Sequence, residues 1–79
     1  MNTSTGVRTL KQAQVGERVT VKRIAGDGSL RQRILDMGLT RGAEVVVKKV
    51  APFGDPIEVT VRGYELSLRR QEAAYIEVL

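Results

Sequence analysis

The chain has 79 residues, 13 Lys and Arg against 9 Asp and Glu, and neither Cys nor His. A length of this order sets one domain with one core and leaves no room for a deep substrate cavity. The missing Cys and His remove disulfides, thiol nucleophiles, the commonest general base and the commonest transition-metal ligands.

Residues 1–6, Met1 to Gly6, carry neither the basic start nor the apolar stretch of a signal peptide, and read as a short disordered tail ahead of a domain over 7–79. No apolar run approaches the ~20 residues of a membrane span, so a soluble cytoplasmic chain is expected. Leu10 and Val15 are expected to tuck against the first strand from an irregular lead-in. Val15-Gly16-Glu17 reads as a turn. Val19 and Val21 then alternate with Arg18, Thr20 and Lys22, the pattern of a half-buried strand.

Ala25 to Gly28 reads as a loop feeding one clear helix. Ser29 followed by Gln32 has the spacing of a capping box, and Gly38 supplies a left-handed stop. Leu30, Ile34 and Met37 fall at i, i+4 and i+7 on one face, with Leu35 beside it. Leu39 to Gly42 is a turn. Glu44 to Val50 is a strand whose three successive valines imply two partly covered faces or a bulge.

Ala51-Pro52-Phe53-Gly54-Asp55-Pro56 excludes regular structure. Ile57 to Val61 and Tyr64 to Leu68 form a hairpin about Arg62-Gly63. Its register pairs Val61 with Tyr64, Val59 with Leu66 and Ile57 with Leu68, all apolar and all on one face. Parity therefore places Tyr64 inward. Arg69 to Glu72 reads as one helical turn, and Ala74 to Leu79 as a last strand with Ile76 and Val78 inward. Five short strands and one helix predict an all-β, strongly bent small barrel.

Three pieces stand in order: the helix ending Ile34-Leu35-Asp36-Met37-Gly38-Leu39 before Arg41-Gly42, the loop Ala51 to Ile57, and the hairpin from Val61-Arg62-Gly63-Tyr64 to Leu68-Arg69. Together they resemble the FeoA family, small proteins of bacterial ferrous iron transport. The resemblance covers about Leu10 to Val78. It implies an SH3-like barrel with a helical insertion, and a non-enzymatic adaptor beside FeoB, a ferrous iron permease with a cytosolic GTPase domain. Recruitment to the inner face of the membrane would then come through that partner.

The expected partner contacts are Leu30, Arg31, Arg33, Ile34, Leu35, Met37 and Leu39 on the helix and its flank, with Phe53 second. Each apolar one competes with a plain core role in a domain this small. Arg31, Arg33 and Arg62 are the conceivable fingers on a partner GTPase. Asp27, Asp36, Glu44, Asp55, Glu58 and Glu65 are among the hard ligands available. None has the spacing of a metal loop, so no cofactor and no metal site is expected. Asp55 is expected to cap the loop before Pro56. The net charge of +4 keeps a second reading open, a small basic barrel that binds nucleic acid, although the cations are dispersed and the aromatics few. Exposed strand edges leave weak self-association as a further expectation.

Overall fold

The computed structural model describes residues 8–79, so the expected tail over 1–6 lies outside the described residues. Six antiparallel strands form one bent sheet in the order β1-β6-β2-β3-β4-β5. The strands are β1 Arg8–Thr9, β2 Arg18–Ile24, β3 Glu44–Val50, β4 Ile57–Val61, β5 Tyr64–Leu68 and β6 Ile76–Val78. Helix α1, Gly28–Asp36, is inserted between β2 and β3. The short helix α2, Arg70–Ala73, joins β5 to β6, and Leu10–Gln12 form a 3-10 turn.

The bend lies in β2. Its first half, Arg18 to Thr20, pairs with β3, whereas Val21 to Ile24 pair with β6 across a bulge between Val21 and Arg23. One strand therefore serves both halves of the sheet. Alternation then points Val19, Val21, Val45, Val47, Val59 and Val61 into one core, closed by Leu10, Ile34, Leu39, Leu68 and Ile76. No helix among the described residues is long and apolar enough to cross a membrane.

The β4–β5 hairpin has the register its side chains dictate, from Val61 opposite Tyr64 to Ile57 opposite Leu68. Arg62 and Gly63 both adopt positive φ, 51° and 88°. That is the backbone a two-residue turn of the commonest hairpin type requires. In β3, a bulge falls between Val47 and Lys49, and Val46 is half-buried on the second face, so both consequences of the valine run are present.

Five features differ from the sequence reading. The sixth strand is β1, a two-residue segment held by Val78 and Glu77, which no periodicity could reveal. The lead-in expected to be irregular holds a 3-10 turn, Leu10–Gln12, whereas α2 falls where Arg69 to Glu72 read as a helical turn. Helix α1 begins at Gly28 with Asp27 before it, ahead of the expected Ser29 cap, and Gln32 Nε2 donates to Asp36 Oδ1 at 2.8 Å in place of closing a capping box. Val15 is 60% exposed, because the turn at Gly16 swings it away from the core. Tyr64 is 45% exposed: its place at the end of the hairpin carries the ring past the core to the end of α1.

Candidate docking surface

Helix α1 presents one face to the barrel and one to solvent. Ile34 is fully buried, and Leu39, just past the helix, is fully buried as well. Both fill the core and have no surface to offer a partner, which removes them from the expected contact set. Leu30, Leu35 and Met37 are half-buried and pack against the core. Leu30 leans on the bare backbone of Gly26, where a Cβ would meet Leu30 Cδ2 at 3.3 Å and Tyr75 Cδ1 at 3.5 Å. Arg31, Gln32, Arg33 and Asp36 form the exposed ridge.

The far end of α1 is clasped by the hairpin turn. The Tyr64 hydroxyl donates to Met37 O at 2.7 Å, and Arg62 donates to Thr40 Oγ1 at 2.8 Å and to Gly38 O at 3.4 Å. Two of the three acceptors, Met37 O and Gly38 O, are carbonyls of the kind a helix end leaves unpaired. Gly38, at φ 93°, makes the stop, and any Cβ there would overlap the Tyr64 hydroxyl.

A shallow cleft of about 380 Å³ lies beside α1, lined by Arg33, Asp55, Pro56, Ser67, Leu68, Arg69 and Glu72. It connects the two regions that the sequence treats separately, the helix and the Phe53 loop. Glu72 is the buried charge of the described residues. Its Oε1 accepts from Arg69 N–H at 2.9 Å, and its Oε2 lies 3.5 Å from Arg33 Nε. Asp55 Oδ1 accepts from Arg70 N–H at 3.0 Å, so it caps α2 rather than its own loop. Glu72 is paired with Arg33, whereas Asp55 is exposed and keeps its charge, so the cleft carries both signs. Asp55, Arg69 and Glu72 were not singled out in the sequence as part of the site. The acid three residues after Arg69 has helix N3 spacing, but nothing in the pattern marks it for burial.

Phe53 is 93% exposed at the tip of the β3–β4 loop, whose Asp55 and Pro56 line the cleft. Of the three conceivable arginine fingers, Arg33 is tied to Glu72 and Arg62 to the end of α1. Arg31 makes no ion pair or side-chain hydrogen bond among the described residues. No three His, Cys, Asp or Glu of the described residues come together as a metal-holding group.

A family model described as the FeoA domain matches residues 8–79. The Fe(2+) transport protein A/Fe(2+) transporter FeoB fusion protein of Porphyromonas gingivalis is 39% identical over 69 residues. That match takes in 87% of this chain but only 8% of the relative, so the chain spans a small part of the fusion's length. Among solved structures, the FeoA-like protein from Clostridium acetobutylicum aligns with a TM-score of 0.86 and 40% identity, over 92% of this chain and 85% of that one. The FeoA of Stenotrophomonas maltophilia, determined with zinc and described as a prokaryotic SH3 domain protein, aligns with a TM-score of 0.80 over 91% of this chain and 89% of that one. Its identity is 24%, and what it shares is the fold. The barrel is thus SH3-like, as the resemblance implied. With a family model spanning every described residue, the chain belongs to the FeoA family.

Proposed function

We propose that this chain is a non-enzymatic accessory protein of ferrous iron uptake that docks on a FeoB-type transporter at the cytosolic face of the membrane. The observation that carries the reading is the P. gingivalis relative, in which a segment 39% identical to this chain is covalently joined to the transporter. A fusion keeps two polypeptides at high effective concentration, which serves components that work in contact.

The docking face is the solvent side of α1, with Arg31 and the outer groups of Arg33 as its cations and the exposed edges of Leu30, Leu35 and Met37 between them. Five apolar or basic side chains within about two helical turns, fixed at one end by Arg62 and Tyr64 and at the other by Gly26, make a rigid ridge for an acidic groove. Direct stimulation of the transporter's GTPase would run through Arg31, the one of the three candidate fingers without a side-chain partner among the described residues.

A pull-down against the cognate FeoB-type transporter in detergent, with nucleotide present, tests the reading. Arg31→Glu is expected to abolish capture while the variant stays folded, and Phe53→Ala is expected to leave it intact. Undiminished capture of Arg31→Glu would remove α1 from the site. Absence of capture with any nucleotide would overturn the adaptor role itself.

A further inference from the structure

The most exposed large hydrophobic side chain of the described residues, Phe53, is unused by the α1 face. It stands at the tip of a loop closed by Ala51 N–H to Pro56 O at 3.1 Å and Gly54 N–H to Ala51 O at 2.8 Å. The tip is therefore held, not trailing. Around it the fold gathers cations. The Arg70 side chain lies over Gly54, 3.7 Å from where a Cβ would stand. Arg69 precedes it, and Lys48 and Lys49 are exposed on β3 just before the loop. Exposed Val15 precedes Gly16, whose N–H donates to Val47 O at 2.7 Å on the same strand as Lys48 and Lys49.

Glu17 aside, the acids nearby are Asp55 and Glu58, two against Lys48, Lys49, Arg69 and Arg70. Glu17 pairs with Arg8, Asp55 caps α2, and Glu58 sits cross-strand to Lys49. Lys48, Arg69 and Arg70 have no ion pair among the described residues. An exposed aromatic tip on a surface with an excess of cations is complementary to one surface above others, an anionic bilayer. Its headgroups meet the cations while its acyl boundary takes the apolar tip. A nucleic-acid strand would engage the same charge, but a single aromatic offers it a single stacking platform.

We propose that the Phe53 end of the barrel binds the surface of an anionic phospholipid bilayer, with Phe53 inserted at the headgroup boundary and Lys48, Lys49, Arg69 and Arg70 on the lipid phosphates. The contact is weak alone and adds to any protein contact made at the membrane. It stands whether or not α1 carries the transporter.

The test is sedimentation of the full chain with phosphatidylcholine vesicles, with or without phosphatidylglycerol, at rising salt. Binding to the anionic vesicles alone, lost at high salt, is expected. Phe53→Ser should weaken it about tenfold through lost insertion. Lys48→Gln and Lys49→Gln should each weaken it about fivefold. All three positions are exposed, and far-ultraviolet circular dichroism checks that the variants keep their fold. No sedimentation at low salt would overturn the proposal. So would Phe53→Ser sedimenting like the parent. Binding of a single-stranded RNA by the same cations, with vesicles ignored, would overturn it in favour of nucleic acid.

Discussion

Arg33 of α1 and Glu72 of α2 face each other with Nε 3.5 Å from Oε2, and the two residues stand in different environments. The Arg33 side chain keeps most of its surface in water, whereas Glu72 is buried and also holds the Arg69 N–H. The pair therefore joins a surface cation to a structural anion. Removing each partner has a different cost. Arg33→Ala loses a 3.5 Å ion pair whose cation stands in water, while Glu72 keeps the Arg69 N–H, and costs about 1 kcal/mol or less. Glu72→Ala leaves a backbone donor of α2 without its acceptor and costs about 1–3 kcal/mol. Urea unfolding of the two variants should show Glu72→Ala clearly the weaker. Equal stabilities would mean that the carboxylate caps nothing of consequence.

The clasp at the end of α1 predicts coupling between Gly38 and Tyr64. Gly38→Ala forces a Cβ into a left-handed residue and into the tyrosine hydroxyl, and should cost about 1–3 kcal/mol. Tyr64→Phe alone loses one hydrogen bond to Met37 O, about 1 kcal/mol. With the hydroxyl gone the overlap at Gly38 is relieved, so the double variant should be more stable than the sum of the two losses. A double-mutant cycle reads this directly. Strict additivity would show that the two residues do not meet in solution.

Core and surface separate cleanly at two of the expected contact residues. Ile34→Ala should cost about 2–5 kcal/mol, because its side chain is fully enclosed. Phe53→Ala should change stability by less than about 0.5 kcal/mol. Thermal melts at matched concentration test the contrast. A large loss at Phe53 would place that ring against the barrel.

Acid sensitivity traces to Glu17. The Arg8 guanidinium on its Oε2, and then the Gln14 N–H on its Oε1, hold its carboxyl below the ordinary value of 4.5. The folded pKa is the lower one, so the interaction stabilises the fold above that ordinary value and is lost as pH falls through it towards the folded pKa. Glu17→Gln should therefore be less stable than the parent at neutral pH, with the gap closing below about pH 4.5. Unfolding curves at stepped pH check the sign. A gap that widens in acid would reverse the assignment.

The parts of the fold legible in the sequence are those with a repeating period. Ile57 to Leu68 fixes its own register, since a slip of one residue would turn Val59, Val61 and Leu66 outward. Helix α1 is legible from Leu30, Ile34 and Met37, and its stop from Gly38. Its start is not, because Asp27 and Ser29 both suit a cap and the chain entering from Ala25 decides between them. β1 is two residues long and exists through Val78 and Glu77, so no local pattern announces it. Parity assigns Tyr64 to the inner face but says nothing of how far the core extends.

The site was legible in a similar way. Periodicity groups the side chains of α1 but does not say which of Leu30, Ile34, Leu35 and Met37 is enclosed, since that depends on what covers them. The link from α1 through Glu72 and Arg69 to the Phe53 loop joins three separate stretches of chain. It emerges only when β4 and β5 bring Asp55 and Leu68 to the same end of the sheet.

The central claim is that the solvent face of α1 meets a FeoB-type transporter. The most direct measurement is the affinity of the parent and of Arg31→Glu for the purified cognate transporter, with unfolding curves recorded for both. Arg31 is exposed and unpaired among the described residues, so its reversal should leave the fold unchanged and weaken binding about tenfold or more. Equal affinities for the two proteins would contradict the account.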